Sequence, residues 1–335
     1  MTGMPIEDVQ QRSYLREARA TREFPSALRP KIPPRLRVLL GILLLATQLL
    51  AAPPAAALQP AERELIKRAL GGTRDGSWQW AMKLVQGVKE PALATYISWL
   101  RLRDASERRP FAEYRRFLEQ NPHWPGLQQL QARAEEAIDE SVPHAERLAF
   151  FKDRAPRTRQ GRVRLAEALM SVRRTDEASL LLERTWIDDD FSVSEENYFL
   201  GRYGQHLTRR DHLARLDRLL WEGKAASARR MFPLVDKGHQ ALANARLRLQ
   251  AAEGGVDGAV NAVPASLRND PGLVFDRLKW RRLKGRDEEA RALLLDPPAE
   301  LRRPDLWWNE RAIQVRRAID AREYATAYRL ARRHG

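Results

Sequence analysis

An all-α fold, an irregular α-superhelix of antiparallel helix pairs, is what this chain predicts, on three observations. In the stretch from Pro304 to Gly335, Trp308, Ala312, Val315 and Ile319 recur at helical spacing, and Tyr324, Ala327, Tyr328 and Ala331 do so again after a short polar turn. Each set paints one apolar stripe along a helix, so the segment reads as an antiparallel helix pair. No run of alternating β-branched and aromatic residues bounded by turn pairs marks a strand. Breaks at Gly71-Gly72, Asn121–Pro125, Pro143, Pro156, Gly254-Gly255 and Pro297-Pro298 leave segments of helical length between them.

The first element in chain order is a targeting segment. Lys31, Arg35 and Arg37 precede the uncharged run VLLGILLLATQLLAA from Val38 to Ala52, and Ala55-Ala56-Ala57 follows it. A positive flank, a short apolar run and a small-residue site together predict a secretory signal cleaved after Ala57. The run is short of the roughly 20 residues that a spanning helix needs. Residues 1–57 are therefore expected to be an N-terminal tail with its signal, and 58–335 the mature helical domain. An uncleaved membrane anchor and a buried core helix are the other readings of the same run.

Along the mature chain a loose repeat emerges when the second helix of each pair is aligned on a small residue. The four instances are Arg173–Ala178 (RRTDEA), Gly223–Ala228 (GKAASA), Gly285–Ala290 (GRDEEA) and Arg322–Ala327 (REYATA). Apolar steps flank each one, such as Leu169-Met170 before and Leu181-Leu182 after the first. The small alanine lets two antiparallel helices approach while the polar turn reverses the chain. The alanines are spaced 50, 62 and 37 residues apart. That irregularity disfavours a tetratricopeptide array with its period of about 34 and favours an irregular stack with a concave face.

Composition bounds the chemistry. With 43% hydrophobic residues over 335 positions, wholesale disorder is excluded. The net charge of +15 predicts a molecule drawn to anionic polymers or surfaces. The basic residues are spread through nearly every helix rather than gathered in a block, and no aromatic platform accompanies them, so nucleic acid is not an expected partner. The chain contains no cysteine, which excludes disulfides, thiolate zinc sites and cysteine nucleophiles.

The segment from Asp270 to Gly335, beginning DPGLVFDRLKWRRLKGRDEEARALLLDPP, resembles the N-terminal, U-shaped superhelical domain of soluble lytic murein transglycosylases. So does SEENYFLGRYGQHLTRRDHLARLDRLLWEGKAASARRMFPL, with its Leu-Thr-x-x-Asp-His and Leu-Leu-Trp landmarks, and so do YISWLRLRD and FAEYRRFLEQNPHWPGLQQLQARAEEAI upstream. The resemblance runs from about Gln59 to Gly335. It implies a periplasmic protein of the cell wall whose partners are peptidoglycan glycan strands, with a catalytic domain or other periplasmic proteins as further partners, and the membrane only if the signal stays uncleaved. Enzymes of that family cleave the MurNAc-GlcNAc bond without water. One glutamic acid protonates the glycosidic oxygen and then helps a sugar hydroxyl close a 1,6-anhydro ring, so one carboxyl serves where most glycosidases need two.

In the family that glutamate precedes a serine in a lysozyme-like domain after the superhelix. The Glu-Ser pair here, Glu140-Ser141, lies in RAEEAIDESVPHAERL at a helix-to-turn transition, with no lysozyme-like sequence around it. Glu140 is therefore read as a helix-end charge. The expectation is a scaffold part of a transglycosylase, missing the catalytic domain, with no catalytic, cofactor-binding or metal residue assigned. A periplasmic helical-repeat adaptor that binds protein partners is the alternative.

Other constellations reduce to ordinary structure. Asp188-Asp189-Asp190 lacks the ligand alternation of a calcium loop and reads as a solvated loop that caps the next helix. His206 and His212 lack the spacing that would put two imidazoles on one helical face. The stretch Gly71–Ser77 lacks the Gly-Lys-Ser/Thr ending of a phosphate loop and reads as a plain loop. The nine tryptophans are expected mostly to fill gaps between helices, with stacking on sugar faces as their other use. Trp307 and Trp308 are adjacent, so one of them should be exposed.

Overall fold

The computed structural model describes residues 60–332 apart from 75, 87 and 89. The signal segment 38–52 and its cleavage site after Ala57 lie outside the described residues. Those residues form seventeen α-helices and no strand. None of the helices is long and apolar enough to cross a membrane. By its contacts the chain divides between Ile97 and Ser98 into two units.

In the first unit, α1 (Pro60–Arg74) and α2 (Trp78–Val85) pack as a pair around Ala69, Ala81, Val85 and Ile97, the last from the middle of α3 (Pro91–Arg103). The sequence reading places a break at Gly71-Gly72 and a loop over 71–77, whereas α1 continues through both glycines to Arg74. The reason is a close approach. A Cβ on Gly72 would lie 2.7 Å from the Trp80 ring, so the bare backbone is where the indole rests. Packing outweighs the roughly 1 kcal/mol that glycine costs inside a helix.

The second unit continues with α4 (Phe111–Gln120), α5 (Leu127–Glu136) and α6 (His144–Phe151), which enclose Phe111, Tyr114, Phe117, Leu130, Phe150 and Phe151. Then come α7 (Arg159–Ser171), α8 (Thr175–Asp188), α9 (Val193–Tyr203), α10 (Arg209–Trp221) and α11 (Ala225–Arg230). Their shared core is centred on Trp186, which has no exposed surface and stacks on Phe199 at 5.8 Å. The remainder is α12 (Lys237–Gln250), α13 (Val256–Asn261), α14 (Pro271–Leu283), α15 (Asp287–Leu295), α16 (Pro304–Asp320) and α17 (Tyr324–Arg332). Helices pack on near neighbours in the chain: α7 on α8, α8 on α10, α10 on α12, α12 on α14, α14 on α15, and α16 on α17.

The four repeat segments turn out to be one turn used four times. Arg173, Gly223, Gly285 and Arg322 all adopt the left-handed conformation, with φ of 63°, 69°, 72° and 60°. In each turn the next amide donates to the carbonyl five residues back: Arg174 to Leu169, Lys224 to Leu219, Arg286 to Arg281 and Glu323 to Ala318. A second bond joins the left-handed residue to the carbonyl three back, which completes a Schellman motif. The residue that closes the old helix starts the new one, and five positions after the left-handed residue comes a buried alanine: Ala178, Ala228, Ala290 or Ala327.

The buried face of the last helix pair is not the stripe that spacing marks out. On α16 the buried residues are Trp307, Glu310, Arg311, Gln314 and Ala318, while Trp308 is 51% and Ile319 47% exposed. On α17 the inward side chains are Ala327 and Leu330, and Tyr324 and Tyr328 point to solvent. Polar groups win the inner face because they are fully used there. The Arg311 guanidinium donates to the carbonyls of Leu294 and Leu330, both at 2.8 Å, and so closes the ends of α15 and α17 together.

Two outcomes test this description. Arg173→Gly and Arg322→Gly should each raise stability in urea unfolding by about 0.5–1 kcal/mol, because glycine enters the left-handed region without a Cβ clash, and Gly223→Ala should lower it by about 1 kcal/mol. Arg311→Met should cost about 2–4 kcal/mol in the same measurement, since it strands two buried carbonyls and leaves the apolar contacts in place.

Candidate functional site

A site for acid–base chemistry would need a carboxyl that is both perturbed and reachable. The buried carboxylates are Glu135, Glu167, Glu196, Asp211, Asp276 and Glu310, and all are engaged by protein donors. Glu135 accepts from the amides of Arg157 and Thr158, the Thr158 hydroxyl and the Gln131 amide, at 2.7–3.0 Å. It thereby holds the start of α7 against α5, a negative charge at a helix N-terminus. Glu196 takes Arg215 and Arg230; Glu310 takes Arg282. Asp211 accepts both the amide and the hydroxyl of Thr208 at 2.7 Å, so the Leu-Thr-x-x-Asp-His landmark is a helix cap.

The densest cluster surrounds Glu167 on α7. Its carboxylate accepts from Arg147 at 3.1 Å, Arg164 at 2.9 Å, Arg202 at 3.2 Å and the Tyr203 hydroxyl at 2.7 Å. Burial alone would raise its pKa, but the donors from Arg164 and Tyr203 hold it below the ordinary 4.5. Burial, followed by the Glu167 contact, pushes the Tyr203 phenol well above its usual range. The result is a fixed anion and a fixed neutral donor, which binds helices together and transfers no proton near neutrality. Asp276 behaves oppositely: burial raises it despite its 2.8 Å bond from Arg246.

Among the described residues, a cleft of about 430 Å³ is lined by Gln131, Asp153, Arg154, Ala155, Pro156 and Arg157, between α5 and the turn that follows α6. Its two guanidiniums are held in place by neutral groups. Arg157 donates through Nε to Gln131 Oε1 at 3.2 Å, and Gln131, itself buried, donates to the Ala155 carbonyl at 2.8 Å. Arg154 lies 5.5 Å from the Phe150 ring and donates to the Phe150 carbonyl at 3.4 Å. Spacing and motif reasoning passed over this place, because its residues form no motif; the run Asp153-Arg154-x-Pro-Arg157 is the signal available in sequence.

The residues weighed in the sequence are dispersed. Glu140 is exposed in the turn after α5, beside Ser141, whose hydroxyl donates to Asp139. Asp188–Asp190 is more than a solvated loop. Asp189 pairs with Arg162, and Asp190 with Arg218 and Lys224, while Ser192 supplies the cap of α9. His206 meets Ser179 at 3.2 Å, whereas His212 stands edge-on to Trp186, where burial lowers its pKa. Among the described residues no group of His, Asp and Glu is arranged to hold a metal ion. Of the tryptophans, Trp78, Trp186 and Trp307 are buried, Trp99, Trp124, Trp221 and Trp280 half-buried, and Trp80 and Trp308 exposed. No known protein family matches the chain, and neither a characterised protein nor a solved structure matches it.

The Glu167 cluster has a pH signature. Its folded pKa is depressed, so its contribution is complete above the unfolded value and is lost as pH falls through the folded one. Urea unfolding of the parent chain at stepped pH should show an acid limb below the ordinary value of 4.5 that Glu167→Gln flattens. The same variant should be the less stable of the two at pH of about 7, because it leaves the buried Arg147 without its carboxylate.

Proposed function

We propose that the chain is the superhelical scaffold of a periplasmic lytic murein transglycosylase, which engages peptidoglycan or positions a catalytic domain on it. The observation that carries this reading is the four-fold use of one Schellman turn with a buried alanine, joining helices that pack on near neighbours in the chain. Repetition of that kind is how an irregular α-superhelix is built. The resemblance of Asp270–Gly335 to the family's superhelical domain points the same way. In this reading the positive field draws the molecule to a wall whose peptide stems carry carboxylates.

A second reading, a periplasmic adaptor, draws on the outward side of α16 and α17, where Trp308, Ile319, Tyr324 and Tyr328 are exposed. Exposed large apolar side chains are what a protein-binding surface would use. The two readings separate in one assay. The chain should pellet with purified sacculi at low salt and be released as salt approaches about 1 M, where screening shortens to about 3 Å. It should release no anhydro-muropeptides. Failure to pellet at low salt would favour the adaptor, and release of anhydro products by this chain would overturn the scaffold reading.

A further inference from the structure

The cleft between α5 and the turn after α6 is lined by two arginines whose guanidiniums no carboxylate engages among the described residues. Several buried guanidiniums, by contrast, donate to carboxylates, as Arg215 does to Glu196 and Arg246 to Asp276. In the cleft, Arg157 uses Nε on Gln131 Oε1, and Arg154 makes one long bond to the Phe150 carbonyl. Both are oriented by neutral partners, and among the described residues neither is paired with a carboxylate. Glu135, a buried anion on α5, takes the backbone amides of Arg157 and Thr158 rather than either guanidinium.

We infer that this cleft is a binding site for a carboxylate-bearing ligand of about dipeptide size, held by the outer nitrogens of Arg154 and Arg157. Planar guanidinium forks match a carboxylate with two parallel hydrogen bonds. The volume of about 430 Å³ lies within the range of small-ligand pockets. The lining carries Arg154, Arg157 and Asp153, a net charge of +1, so one carboxylate neutralises it, whereas a phosphate's nearly double charge leaves a negative excess beside Asp153. Pro156 and the Ala155 methyl give the ligand's apolar part a wall. Gln131 acts as a positioning residue: it ties Arg157 to the Ala155 carbonyl and so fixes the turn that carries both arginines. This inference does not depend on the cell-wall reading, because its ligand is a small soluble molecule.

Calorimetric titration of the full chain with N-acetyl-alanyl-alanine, with its C-terminal amide and with inorganic phosphate tests it. The free acid should bind with a dissociation constant on the order of 1 mM or tighter, and the amide at least about tenfold more weakly. Arg154→Gln and Arg157→Gln should each weaken the acid by about tenfold, while Asp153→Asn should strengthen it several-fold. The Asp153→Asn melt should match the parent, since Asp153 is exposed, while circular dichroism of the two arginine variants at the titration temperature should show the parent's folded signal, so that weaker binding is not loss of fold. Equal binding of acid and amide, or binding unchanged in both arginine variants, would overturn the inference. Phosphate bound more tightly than the dipeptide would overturn the carboxylate assignment. Because no glycan enters the assay, its failure is distinguishable from failure to pellet with sacculi.

Discussion

A guanidinium that leaves its own helix and donates into the carbonyl end of another is the contact on which much of this structure depends. Arg215 and Arg218 on α10 close the last carbonyls of α8. Arg311 on α16 closes α15 and α17, and Arg133 on α5 reaches the Asp104 carbonyl just past α3. A helix C-terminus presents unsatisfied carbonyls and a partial negative charge, and a planar cation with five donors answers both. Many of these helices run 8–14 residues, a length at which isolated helices are marginal in water. Closing their ends from a neighbour makes each helix's stability a property of the pair.

The other ends are closed locally, and the division of labour is consistent. Thr158, Ser192, Asp236 and Asp270 accept from first-turn amides of α7, α9, α12 and α14. Where a hairpin must be tight, the Schellman turn closes one helix and its final residue opens the next, with no loop between them. The buried alanine that follows lets the partner helix come close. Local caps thus set where helices begin, tight turns set which helices become antiparallel neighbours, and buried arginines lock the neighbours together.

This internal use of arginine changes how the net charge of +15 is read. Arg147, Arg215, Arg246 and Arg311 are buried and add nothing to an outward patch, and the exposed Arg174, Arg209 and Arg286 are tied into ion pairs with acidic residues nearby. The positive field therefore comes from what is left over. Arg154 and Arg157 belong to that remainder, pinned by neutral groups at the rim of a cleft. The exposed aromatics of α16 and α17 are a separate surface with a separate chemistry.

Helical class, the main Pro- and Asn-rich breaks and the four repeat turns were legible in the residues themselves, because glycine, proline and polar–apolar alternation act on the backbone within a few positions. The inner face of α16 was not legible. Periodicity marks Trp308 and Ile319, yet the buried positions include Glu310, Arg311 and Gln314, whose partners come from α14, α15 and α17. Hydropathy ranks an arginine as outward; only a carbonyl brought to 2.8 Å by another helix makes the inside its better place. Gly71-Gly72 misled in the same way, since Trp80, eight residues on, supplies the contact that keeps the helix intact. The cleft follows this pattern too: its arginines are ordinary in sequence and become a pair facing one recess when Gln131 fixes the turn that holds them. What the residue order determined by itself was local: where helices start, stop and reverse. Which polar groups are buried, and which cations remain available, was decided by tertiary packing, because the partner that satisfies or omits each charge comes from a distant part of the chain.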